Sequence, residues 1–125
     1  MTRQNVTTDK IASPVGPFSA AVRADGFVFL SGQIALDPAS GKLISGDVAA
    51  QTEQIFRNIS AVLDAAGKSF ADVVKTNVFL ANMKDFGAMN AVYERHFEAP
   101  FPARTTIAAA ALPLAAAVEI EVVAA

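Results

Sequence analysis

The segment Phe27-Val28-Phe29-Leu30 constrains this chain more than any other. It follows Asp25-Gly26, a hairpin-turn pair, and is ended by Ser31-Gly32-Gln33, so it reads as a short strand entered by a tight turn. Side chains alternate between the two faces of a strand, and here both faces are large and apolar. Both sides therefore need cover, and what supplies it decides the architecture.

The remaining pattern supplies cover for one side only. Residues 3–24 read as an extended arm, a turn at Ser13-Pro14-Val15-Gly16-Pro17 and a strand at Ala20–Ala24. Asp37 to Gly41 is a loop. Asp47 is a good N-cap for a helix ending at Gly67, with Val48, Thr52, Ile55, Ile59, Val62, Leu63 and Ala66 on one stripe. Asp72 to Ala81 reads as a strand with Val74, Val78 and Leu80 on one face and Lys75, Asn77 and Phe79 on the other. Asp85 is expected to cap a second helix with Phe86, Met89, Tyr93 and Phe97 on its stripe, stopped by Pro100 and Pro102.

Residues 104–110 and 117–123 flank Leu112-Pro113-Leu114. Their alanines favour helix by propensity, but Pro113 breaks a long helix and Val118-Glu119-Ile120-Glu121-Val122 alternates with period two, so both are read as strands. The sum is one α+β domain over residues 1–125, ordered β-β-β-α-β-α-β-β, with a single sheet of five or six strands and two helices on one face. Phe27 and Phe29 then stand on the uncovered face, which marks a subunit interface. Composition agrees: 53% hydrophobic against 18% charged residues is apolar for a chain of 125.

Several chemistries are excluded or disfavoured. With no cysteine there is no disulfide framework, zinc knuckle or thiol nucleophile. His96 is the only histidine and reads as a face residue of the second helix; no nucleophile elbow, phosphate loop or dinucleotide fingerprint is present. A net charge of -2 without a basic run disfavours nucleic acid as a partner. The longest apolar run, Ile107 to Val118, is too short for a membrane span and contains Pro113, so a soluble cytoplasmic protein is expected. No metal or organic cofactor is expected.

Three segments, taken together and in order, resemble the Rid family of reactive-intermediate deaminases, also called YjgF-like proteins. They are Phe29-Leu30-Ser31-Gly32-Gln33-Ile34; Val74 to Leu80 with Phe86 to Tyr93; and Phe101-Pro102-Ala103-Arg104-Thr105-Thr106 followed by Leu112-Pro113 and Val118-Glu119-Ile120-Glu121. The resemblance runs from about Ser13 to Val123. It implies a chorismate-mutase-like fold, a single mixed sheet and a homotrimer with three equivalent sites in the clefts between subunits.

The resemblance also implies roles. Arg104 matches the arginine that binds the substrate carboxylate, and a planar guanidinium suits that task by pairing through two parallel hydrogen bonds. On its own it would read as a solvated strand-end arginine. Glu119 matches the glutamate that positions the attacking water; one carboxyl can act as base and then as acid. It could otherwise line a solvated face with Glu121. Ser31 and Gly32 match the turn lining the pocket, Asn90 a polar pocket position, and Thr106 a place where backbone meets substrate. Phe18 stands where many members carry tyrosine, so a hydroxyl contact is lost and an aromatic wall kept; Thr106 replaces a common cysteine.

The implied activity is hydrolysis of short 2-imino acids, or their enamine tautomers, to 2-keto acids and ammonia. Rivals are a non-catalytic sensor of small carboxylates and a pathway-specific deaminase of aminoacrylate or another enamine. An RNA-cleaving or chaperone-like role is disfavoured by the acidity of the chain.

Overall fold

The structure, a computed structural model, describes residues 2–125; Met1 of the expected domain lies outside the described residues. In chain order the elements are β1 (Gln4–Val6), β2 (Ala21–Ala24), β3 (Phe27–Leu30), α1 (Val48–Ala65), β4 (Val73–Leu80), α2 (Phe86–Tyr93), β5 (Ala103–Ala108) and β6 (Val118–Ala124). Single 3-10 turns lie at Phe70–Asp72, Met83–Asp85 and Pro113–Ala115. The strands form one sheet in the order β1-β2-β3-β6-β4-β5. β4 and β5 run parallel, joined through α2, and the other pairs are antiparallel.

Local chemistry accounts for the main elements. Asp25 and Gly26 both have positive φ, 48° and 81°, as a two-residue turn matched to strand twist requires. The Asp47 side chain accepts from the Ala50 amide at 2.9 Å and opens α1. Gly67, at φ 73°, closes it: Gly67 N–H reaches Asp64 O and Lys68 N–H reaches Leu63 O, which satisfies carbonyls the helix leaves open. The whole expected stripe of α1 is buried, and with Val28, Leu30, Val78, Leu80, Val118, Ile120 and Val122 it forms the core between helices and sheet.

Three expectations need correction. Val74 does not face inward with Val78 and Leu80; it is 46% exposed, because the β4–β6 register shifts between Val73 and Lys75. Thr76 takes the buried position, its hydroxyl paired with Tyr93 Oη at 2.8 Å. Asp85 makes no side-chain cap; Asn82 accepts from Lys84 N–H one turn earlier, and the chain runs from the 3-10 turn into α2. Nor do Pro100 and Pro102 stop α2, which already ends at Tyr93. Phe97 and His96 lie beyond the helix, yet both pack on Phe56. The two last strands fall within two residues of their expected limits, the usual uncertainty at element ends.

Among the described residues, no helix covers the other face of the sheet. Phe27 and Phe29 are 44% and 43% exposed there, and Ile107 stands on the same side, as the register through Phe79 requires. No helix among the described residues is long and apolar enough to cross a membrane.

Candidate active site

The expected site residues fall into two groups. The first is built on α2 and on β5, which is an edge strand. Arg104 pairs in register with Thr76 of β4, so both point to the helix side. Its guanidinium carbon lies 4.6 Å from the centre of the Tyr93 ring and 5.5 Å from that of Phe86. Nη1 donates to Asn90 Oδ1 at 2.7 Å. Stacking fixes the plane of the guanidinium, and Asn90 fixes its rotation within that plane. One of five N–H donors is thereby engaged, and the others are available to a ligand.

Arg104 and Asn90 line a cleft of about 260 Å³ with Tyr93, Glu94, Phe101 and Pro102. Thr106 lies on the same face as Arg104, in register with Val78, and its Oγ1 is buried without a hydrogen-bond partner. A larger cleft, about 550 Å³, adjoins His96, Phe70, Phe97 and Pro100. Its histidine is stacked on Phe56 at 4.5 Å, with Nε2 3.2 Å from Glu53, and Arg95 also approaches Glu53 at 3.5 Å. Those groups are turned toward the protein's own side chains, whereas Arg104 in the smaller cleft keeps N–H donors that no other residue takes.

The second group lies on the open face. Glu119 of β6 is in register with Phe79 and projects away from the helices. Gln33 and Ile120 form a two-bond bridge, 2.8 and 3.0 Å, that clamps the end of β3 onto β6. Between this bridge and the Phe29–Val123 pair, the β3 side uses one residue more than β6, a bulge at Ser31-Gly32. The bulge lays Gly32 against Glu119: a Cβ there would sit 2.9 Å from the carboxyl carbon. Only glycine permits this approach. Burial first, and then the charge of Glu121, raise the Glu119 pKa above the ordinary carboxyl value.

Ser31 Oγ donates to Ser19 O at 2.6 Å, so its hydroxyl ties the turn to the preceding segment. Phe18 is 53% exposed and stands beside the arm residues Asn5 to Ile11. Among the described residues, no three His, Cys, Asp or Glu side chains converge as a metal-ligand set.

The structure therefore joins Arg104 with Asn90, and Glu119 with Gly32, but leaves the two groups apart within one chain, and the Ser31 hydroxyl is turned to Ser19 O rather than to Glu119. The two groups lie on opposite faces of the sheet. Their register positions on β4, Thr76 and Phe79, are three residues apart, about 10 Å along the strand. Sequence reasoning missed Tyr93 and Phe86 as the platform for Arg104, since both look like ordinary core residues of a helix stripe. The buried Thr76 hydroxyl that anchors Tyr93 was the available clue.

A mixed sheet of this strand order, backed by two helices, defines an α+β domain of the chorismate-mutase-like class. The chain belongs to the family described as Endoribonuclease L-PSP, the Rid or YjgF-like proteins, whose model matches residues 8–125. It is 44% identical over 122 residues to the human 2-iminobutanoate/2-iminopropanoate deaminase, covering 98% of this chain and 89% of that one. Reactive Intermediate Deaminase A of Arabidopsis thaliana chloroplasts is also 44% identical over 122 residues, 98% of this chain, which spans 65% of that protein's length. The crystal structure of RidA from an Antarctic Psychrobacter superposes with a TM-score of 0.92 at 43% identity, covering 97% of this chain and 98% of that one.

Proposed function

We propose that this protein hydrolyses short 2-imino acids, or the enamines that tautomerise to them, to 2-keto acids and ammonia, as a homotrimer with its sites at the subunit seams. The observation that carries this reading is Arg104, stacked on Tyr93, steered by Asn90 and opening onto a small cleft. A fixed guanidinium of that kind suits the carboxylate of a small organic acid. Similarity to proteins named for 2-imino acids supplies the rest of the substrate.

Arg104 takes the carboxylate and holds the imine carbon in a fixed place. Phe18 forms an aromatic wall, the Ser31-Gly32 turn lines the carboxyl side, and the backbone at Thr106 meets the substrate. Glu119, supplied by the adjoining protomer, accepts a proton from water as its oxygen attacks the imine carbon. The C=N bond becomes C–N, and Glu119 returns the proton to nitrogen. Collapse of the adduct forms C=O and breaks C–N as the hydroxyl proton passes through Glu119 to the leaving nitrogen, releasing ammonia, so water and imino acid balance keto acid and ammonia. A carboxyl whose proton affinity is raised is suited to both transfers. An imine is already electrophilic, so positioning and one acid–base group suffice.

The separation of the two groups supports an assembly in which a site draws on more than one protomer. A substrate of a few carbons cannot bridge opposite faces of one sheet, whereas a second protomer laid on the open face, where Phe27 and Phe29 need cover, can. The test supplies freshly generated iminopropanoate or iminobutanoate and follows keto acid release. Accelerated release, abolished in Arg104→Ala, is expected. Decay unchanged by the protein would sink the enzyme reading and leave a carboxylate sensor.

A further inference from the structure

This inference deepens the reading of Glu119 given above and rests on it. Glu119 and Glu121 are two residues apart on β6, so their carboxyls share the open face. Beside Glu121 the neighbouring strand places Asn77, whose Nδ2 donates to Glu121 Oε1 at 3.0 Å. Only the N–H side of an amide can face a carboxylate oxygen, so the chemistry fixes the orientation of Asn77. Beside Glu119 the same strand places Phe79, which donates nothing.

Within one protomer, the other groups on this face leave the pair to itself. Lys75 stands across from Val123 and turns its Nζ to Thr105 Oγ1 at 3.1 Å. β3 contributes Phe27 and Phe29, β2 contributes Val22 and Ala24, and β5 contributes Ala103, Thr105 and Ile107, none of them titratable. Among the described residues no helix packs here. Two carboxyls so placed disfavour double ionisation, and a donated N–H favours charge on the one that receives it.

We propose that Asn77, by donating to Glu121 and not to Glu119, makes Glu119 the member of the pair that takes up the proton drawn from water and holds it for the departing nitrogen. Asn77 and Glu121 are positioning residues; neither touches the reacting atoms. The direction in which burial and Glu121 displace the proton affinity of Glu119 agrees.

The test is a 13C-carboxyl NMR titration of the full-length protein labelled at glutamate, with the Glu119 signal identified by its loss in E119Q. It is run on wild type, E121Q and N77V beside pH–rate profiles of imine hydrolysis. The Glu119 midpoint is expected to fall in E121Q, where the neighbouring charge is gone. It should also fall in N77V, where the proton can pass to Glu121, and the Glu119 limb of each rate profile should move with it. A midpoint unmoved in both variants overturns the inference whatever their activities. Movement in E121Q alone removes Asn77 and overturns it as stated. If both midpoints move while E119Q still turns over at the wild-type rate, the proton placement stands and the role of Glu119 in hydrolysis falls.

Discussion

Substituting Gly32 by alanine separates stability from catalysis unusually well. The added Cβ would sit 2.9 Å from Glu119 Cδ and 3.2 Å from Cγ. Carbon atoms prefer about 3.5–4.0 Å, so the carboxyl must retreat by about 1 Å. Gly32 is not among the glycines with positive φ, so alanine meets no backbone strain there. The clash falls on the free end of a flexible side chain, and alanine also reduces the entropy of the unfolded chain by about 0.4–1 kcal/mol. Stability should therefore change by less than about 1 kcal/mol. A misplacement of about 1 Å at a reacting group can cost about a hundredfold in rate, roughly 2.7 kcal/mol of barrier. Thermal melts and size-exclusion chromatography check the first half, and kcat on iminopropanoate the second. A folded, normally assembled G32A with kcat within about threefold of wild type would refute the reasoning, since Glu119 would not need its place beside Gly32.

Four further outcomes follow. Arg104→Lys keeps the charge but loses the planar fork, and kcat/KM should fall about tenfold to a hundredfold; steady-state kinetics matching wild type would remove the two-point grip. Asn90→Ala should weaken the hold on Arg104 without unfolding the chain, raising KM for carboxylated imines while melts stay within a few degrees of wild type. Thr76→Val strands the buried Tyr93 hydroxyl and should cost about 1–3 kcal/mol in denaturant unfolding, largely recovered in T76V/Y93F. The raised proton affinity of Glu119 destabilises its charged form in the folded protein, a penalty absent below the ordinary carboxyl pKa and growing as pH rises through the folded value. E119Q should accordingly melt above wild type near neutrality, with the gap closing on acidification; a gap independent of pH would contradict this.

Much of the fold was legible because its signals are local. Asp25-Gly26, the cap at Asp47, the glycine after α1 and the alternating strand at Val118–Val122 each depend on a few adjacent residues. The alternation of Phe27, Val28, Phe29 and Leu30 also revealed a sheet face in need of cover. What escaped was non-local. The shift at Val73–Lys75 reverses the facing of Val74, and it arises from pairing with β6 rather than from anything in β4. The contact of Gly32 with Glu119 depends on a bulge between segments nearly ninety residues apart. Arg104 and Glu119 were named through resemblance, yet their placement on opposite faces follows only from the registers of β5 and β6 against β4.

That placement makes subunit complementation the most direct test. R104A and E119Q chains are each expected to be inactive, and co-expressed chains should assemble at random into mixed trimers. If each site takes its guanidinium from one protomer and its carboxyl from the next, about a quarter of the seams regain both groups, and about a quarter of wild-type activity should return. Mixed assemblies as inactive as their parents would contradict the shared site.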